Sequence, residues 1–262
     1  MIKVIKPKKG PLHLEDRGKK QTKEDCRDFK KDPAAFIKKM KDAKEKAKSR
    51  RIYASDDVKT TLKTLQYNKC CYCERKFIED EDDAILAVEH YRPKAAVKQN
   101  RKDKNEYPGY FWLAYKWDNV FLSCHKCNST WKSTLFPLVN TINRARSNKD
   151  KINLEEPLFI NPEKDKPRDH IIFIGAVPKP KDNSERGRVT IKEIGLDRST
   201  LNNLRQDKII ELQALIDIIG RATDHPADLI LQNMANEAQV VLGEAVLPSA
   251  EFSSMAMDFL GI

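Results

Sequence analysis

Long apolar runs are missing from this 262-residue chain. No stretch approaches the ~20 residues that a membrane span requires. The basic first residues are not followed by an apolar core of the kind that marks a secretory signal. Glycine is sparse, at 9 residues, and no Gly-x-x-x-x-Gly-Lys-Ser/Thr loop occurs. A P-loop nucleotide site in this chain is thereby excluded, and any control by ATP must come from another subunit. Hydrophobic residues make up only 40% and charged residues 34%. A modest core with extended, charged arms is therefore expected, in one large or two small domains. Lysine and arginine are absent after Arg221. The segment 222–262 is acidic and apolar, a poor binder of nucleic acid, suited either to docking on another protein or to ordinary core packing.

Positive charge is concentrated at the other end. Residues 1–50 hold 18 Lys/Arg against 8 Asp/Glu, so the whole formal excess of +10 lies there. Clustered cations hold phosphate backbones through counterion release without reading sequence, although a solvated arm has the same composition. Residues 1–31, with Pro7, Gly10, Pro11 and Gly18, read as irregular. Asp32-Pro33 starts an amphipathic helix over about 33–49, with Phe36, Met40, Ala43 and Ala47 on one face. A second helix runs from Ser55 to Tyr67, with Val58, Leu62 and Leu65 turned inward. Strands are expected at 85–90 and 119–122, a wrapping segment with short strands over 139–190, and a long helix from Asp197 or Ser199 to about Ile219. Its inner face is read as Leu201, Leu204, Leu212, Leu215 and Ile219.

Between these parts lie two Cys-x-x-Cys turns, Cys70-Cys71-Tyr72-Cys73 and Cys124-His125-Lys126-Cys127. Paired turns of this spacing supply two thiolates each to one tetrahedral zinc ion. Cys71 is left out because Cys-x-Cys is the rarer zinc geometry. His125, inside the second turn, is the alternative to one of the thiolates. A thiol-rich chain with no export signal fits a reducing cytoplasm better than a disulfide framework. The acidic run at 79–83 reads as a solvated turn. The two turns bracket Glu89-His90, and Asn119 and Asn128 flank the second.

That constellation resembles the HNH endonucleases, the ββα-metal nucleases, in the variant that carries an added pair of zinc knuckles. Glu89-His90, Asn119 and Asn128 match the H-N-N form of the motif. A wider likeness covers roughly residues 1–215. It runs through Met1–Lys6, Phe111-Trp112-Leu113-Ala114-Tyr115, Phe136-Pro137-Leu138, Glu156–Pro162 and Arg186–Ile191, and it is to the PtuB-type effectors of Septu and retron-associated anti-phage systems.

The resemblance implies an α+β fold, with a ββα finger and a structural zinc on Cys70, Cys73, Cys124 and Cys127, embedded in a mainly helical chain. It divides the chain into a basic N-terminal part (1–69), the nuclease core (70–138), a wrapping segment with a long helix (139–221) and a C-terminal docking segment (222–262). It implies a catalytic set of His90, Asn119 and Glu89, with His90 as general base and Asn119 tying the loop that carries it. Mg²⁺ or Mn²⁺ would be held by Glu89, His90 and Asn128, and phosphate met by Arg92, Lys94, Lys98 and Lys132. Adjacent strand residues face opposite ways, so Glu89 and His90 share a metal only if the strand bends. Lys132 follows Asn128 by four residues, where many relatives have a lysine at three. The implied partners are DNA or an RNA such as tRNA, a PtuA-like ATPase of the ABC/SMC class, and in some systems a retron reverse transcriptase with its RNA–DNA hybrid. A non-catalytic zinc-knuckle binding module or an adaptor is the alternative, and neither needs Glu89, His90 and Asn128 together.

Overall fold

A computed structural model describes residues 1–77 and 86–262. The acidic run at 79–83 and Ile85 lie outside the described residues. The fold is α+β, mainly helical, with two small two-stranded antiparallel sheets. No helix among the described residues is long and apolar enough to cross a membrane.

The N-terminal stretch departs from expectation. A π-helical turn at Leu14–Gly18 leads directly into α1 (Lys19–Lys31), and Met1, Ile2, Val4 and Leu14 are buried. Gly18 is no breaker here: a Cβ on it would stand 2.8 Å from the Cβ of Tyr115, so glycine lets the helix approach that ring. Lys6, counted from sequence as part of a basic arm, is likewise interior. Its Nζ donates to the carbonyls of Trp117 (2.7 Å) and Val120 (2.6 Å) and lies 3.7 Å over the Phe121 ring. Burial draws its pKa down to about 8.

Asp32 caps α2 (Pro33–Lys41) by accepting from the Ala35 amide at 2.9 Å, with Pro33 in the first turn. The helix expected over 33–49 is two helices. Asp42 is extended (ψ 139°) and caps α3 (Ala43–Tyr53) by accepting from the amides of Lys44 and Glu45. A short acidic side chain that can bind the next turn's N–H groups competes with helix continuation. Next comes α4 (Asp56–Leu65), burying Val58 and Leu62. The Ser55 hydroxyl makes no cap bond there; it donates to the Ile52 carbonyl at 3.0 Å or the Asp57 carboxylate at 2.6 Å.

Strand β1 (Leu86–His90) pairs antiparallel with β2 (Val120–Cys124), in register from Leu86 opposite Cys124 to His90 opposite Val120. The aromatic stretch between them is not helical throughout but makes two 3-10 turns, Phe111–Leu113 and Trp117–Asn119. Tyr110, Phe111, Phe121, Phe136 and Phe159 are fully buried and belong to the main core. A second hairpin, β3 (Ile171–Ile174) and β4 (Val177–Pro180), packs beside α5 (Glu185–Ile194). Gly187 is needed in α5 because a Cβ there would meet the His170 carbonyl oxygen at 2.1 Å.

The long helix α6 (Ser199–Asp224) buries Leu201, Arg205, Ile209 and Leu212. Leu204, read as inward, is exposed, and Leu215 and Ile219 are half-buried. The inner stripe passes instead through Arg205, whose guanidinium donates to the Leu196 carbonyl at 2.8 Å and lies 4.9 Å from the Phe173 ring centre. The C-terminal segment is core packing in one part and exposed apolar surface in another. Helix α7 (Leu229–Ala245) packs on α6 but leaves Leu229, Ile230, Met234, Val240 and Val241 exposed, whereas α8 (Ser253–Phe259) buries Met255 and Ala256 in the core.

Candidate functional site

The first Cys-x-x-Cys turn is built by short-range bonds. The Cys70 amide donates to the Arg75 carbonyl (3.0 Å) and the Glu74 amide to the Cys70 carbonyl (3.1 Å). Cys71 fastens the turn to β2, its amide donating to the Leu122 carbonyl at 3.0 Å. The buried Gln66 amide braces Leu122 as well, donating to its carbonyl (2.9 Å) and accepting from its N–H (2.8 Å). The second turn follows β2 directly. Cys70, Cys73, Cys124 and Cys127 are all buried, and their Sγ atoms lie within 4.8 Å of one another. Cys73 and Cys124 stand 3.8 Å apart, close to the edge of a tetrahedron with metal–sulfur bonds of ~2.3 Å, about 3.8 Å. The donor set fits a thiophilic metal such as zinc. Cys71 is buried but outside this group, and burial pushes its thiol well up. His125 is exposed and stands apart from it. Arg198 supplies a contact that sequence reasoning missed, its Nη1 lying 3.7 Å from Cys127 Sγ.

Beside this centre, Glu89, His90 and Asn128 line one cleft of about 480 Å³. His90 ends β1 and is buried. Its Nε2 lies 2.9 Å from the Ala114 carbonyl oxygen. A carbonyl only accepts, so Nε2 carries the proton and Nδ1 keeps the lone pair. Burial holds the imidazole well below its usual pKa, with the Lys94 charge adding to the effect. The ring packs edge-on against Tyr53 at 4.6 Å. Neither Tyr53 nor the Ala114 carbonyl had a signal in the sequence, because each reaches His90 only through tertiary packing.

Glu89 is buried too, and its Oε1 pairs with Lys132 Nζ at 2.5 Å. Burial pushes this carboxyl up, and the Lys132 ammonium opposes that. The same Nζ donates to the His90 carbonyl at 2.8 Å. Lys132 is therefore not a surface cation waiting for phosphate. It is fully buried and links the two site residues. It closes Lys126–Lys132, a π-helical segment. β1 stays paired through His90, so the bend that would let Glu89 and His90 share one ion is not present within the strand, although both line the cleft.

Asn119 is buried and binds the chain just beyond His90. Its Oδ1 accepts from the Arg92 amide at 2.8 Å, and its Nδ2 donates to the carbonyls of Arg92 and Leu113 at 3.1 Å. Asn128 lines the cleft half-buried. Arg92 is ion-paired with Glu155 and only partly exposed. Lys94 lines the cleft, its Nζ 4.2 Å over the Tyr53 ring. Lys98 is half-buried, and its backbone bonds Thr134 and Phe136.

Fold and site together define a mainly helical α+β protein whose two-stranded ribbon carries a buried four-cysteine centre able to hold a metal. Its sequence is similar to Septu proteins. The chain is 34% identical to the Septu protein PtuB of Bacillus mycoides (strain KBAB4) over 174 residues, 65% of this chain and 58% of the relative. It is 27% identical to the Septu protein PtuB of Bacillus thuringiensis over 147 residues, 56% of this chain and 44% of that protein. A Septu protein PtuA of Bacillus mycoides (strain KBAB4) is 29% identical over 157 residues, 59% of this chain but 21% of that protein. No family model matches the chain. The chain is thus similar to PtuB-like Septu proteins, and it spans under two thirds of the length of those relatives.

Proposed function

We propose that the chain is a metal-dependent endonuclease of the HNH type and the effector of a Septu-like anti-phage defence system. The observation that carries this reading is the convergence of Glu89, His90 and Asn128 on one cleft, with Nε2 of His90 fixed on the Ala114 carbonyl. His90 Nδ1 takes the proton of the attacking water; burial keeps the ring neutral and its lone pair free near pH 7, at the cost of a weaker base than an exposed histidine. Asn119 holds the backbone after His90 and keeps the ring in place. The carboxylate of Glu89 and the amide oxygen of Asn128 are hard donors suited to Mg²⁺ or Mn²⁺. When bound, such an ion acts as a Lewis acid on the phosphate and on the departing 3′-oxygen. Lys132 competes for Glu89, so the carboxylate is neutralised before any metal arrives. The four-cysteine centre is read as structural zinc, standing in for core that so small a ribbon lacks.

The substrate on this reading is DNA, or an RNA such as tRNA, gripped by its backbone. On this reading the chain divides into 1–69, the nuclease core 70–138, 139–221, and 222–262 for docking. A PtuA-like ATPase is the proposed partner, with a retron reverse transcriptase and its hybrid nucleic acid as a further component. An Mg²⁺-dependent nicking assay on plasmid and on total RNA tests the activity. A purified protein that binds both and cuts neither would leave a zinc-knuckle binding module.

Two variants refine the assignment. Asn128→Ala should raise the Mg²⁺ concentration for half-maximal rate by about tenfold or more; an unchanged metal titration removes Asn128 from the ligand set. Lys94→Gln with Lys98→Gln should lower the slope of log affinity against log salt by roughly one for each phosphate no longer neutralised. A slope equal to wild type would place phosphate binding elsewhere.

A further inference from the structure

Tyr53, Arg50, Lys94 and Ala95 line two clefts at once. One is the His90 cleft. The other, of about 420 Å³, runs between α1, α2, α3 and the Phe111–Tyr115 turn. Its walls are apolar and aromatic: Phe36, Met40, Phe111, Ala114 and Tyr115. Ala114, whose carbonyl fixes His90, therefore belongs to both the catalytic architecture and this second wall. Its rim carries the exposed cations Lys46, Lys48 and Arg50. Inside lie an acid and an amide, Asp25 and Gln21, with Gln21 Nε2 donating to Asp25 Oδ1 at 3.0 Å. Burial pushes the Asp25 carboxyl above its usual range.

We infer that this second cleft receives one unpaired nucleobase of the strand being cut, next to the scissile phosphate at His90. The inference rests on the nuclease reading of the His90 cleft and names its substrate class: a single strand or a locally unpaired one. The volume lies in the range that takes a small ligand, about 300–1,000 Å³. Apolar and aromatic walls suit the base and the cationic rim suits the flanking phosphates. The Asp25–Gln21 pair faces the hydrogen-bonding edge that a base exposes once it leaves the helix stack. A base held in a continuous duplex cannot enter, and extruding it costs least when the strand is already unpaired.

The test is binding of a fluorescent single-stranded DNA oligonucleotide, of its abasic counterpart and of the matching duplex, by anisotropy without added divalent metal. Wild type should prefer the intact single strand over the abasic one by roughly 5- to 150-fold, the equivalent of about 1–3 kcal/mol per stacked base. Ala47→Trp, on the exposed face of α3 that lines the cleft, should reduce that preference to less than about twofold without changing abasic binding. Ala47→Ser, which fills nothing, should keep it. A preference surviving in Ala47→Trp overturns the inference. So does displacement of the intact and abasic strands alike by adenosine monophosphate, which would assign the cleft to a free nucleotide. Protein that cuts nucleic acid but lacks the preference sinks this inference alone. Protein that shows the preference yet cuts nothing sinks the nuclease reading instead.

Discussion

His90→Ala should lower the rate of phosphodiester cleavage by about 10²–10⁴-fold, the usual worth of a positioned general base. Nucleic-acid binding and metal content should stay at wild-type levels, since the phosphate contacts and the four cysteines are untouched. The substitution also leaves the Ala114 carbonyl without its partner, which costs about 1–3 kcal/mol. Melting temperature must therefore be recorded beside the rate, and His90→Gln, whose amide N–H reaches about as far as Nε2–H, provides the comparison. Cleavage of a supercoiled plasmid under single-turnover conditions is the measurement. A rate within a few-fold of wild type would remove His90 from the chemistry.

The second large effect belongs to the four-cysteine centre. Elemental analysis should find one zinc per chain in the wild type and none in Cys73→Ser. Structural zinc sites contribute on the order of 10 kcal/mol to the folded state. Loss of about half of that in a chain of this size corresponds to a fall in melting temperature of at least about 10 °C. Cys71→Ser changes a buried thiol outside the cluster and should keep the metal. A metal-free wild type, or a Cys73→Ser protein that melts with it, would contradict the assignment.

The cysteine group was legible because two turns of equal spacing leave few other uses for four thiols, and the structure gathers those four. The ribbon strands were also legible, expected at 85–90 and 119–122 and found at Leu86–His90 and Val120–Cys124, with Asn119 in the turn before the second. What escaped was long-range. Gly18 reads as a breaker in sequence and acts as a packing residue, because Tyr115 approaches it from almost a hundred positions away. Lys132 reads as a phosphate binder and Lys6 as part of a basic arm, yet both are buried on backbone carbonyls. Arg205 sits in the apolar stripe of α6, which hid the true inner face. Charge identity alone cannot distinguish a solvated cation from one that closes a core hydrogen bond. Asp42 shows the complementary failure. The apolar spacing of Phe36, Met40, Ala43 and Ala47 is continuous, but one capping carboxylate cuts the helix in two.

The path of the chain around α6 and α7 has a mechanical reading. α6 leaves the body beside the second cysteine turn, where Arg198 touches Cys127. The chain comes back beside the first, where Ser253 Oγ and the Ser254 amide donate to Glu74, the residue after Cys73. The two helices between those points form a handle whose roots are planted on opposite halves of the cysteine centre. Its outer grip is greasy, with Leu229, Ile230, Val240 and Val241 in solvent. One excursion of the chain, from Arg198 to Ser254, thus braces both cysteine turns, the second through Cys127 and the first through Glu74.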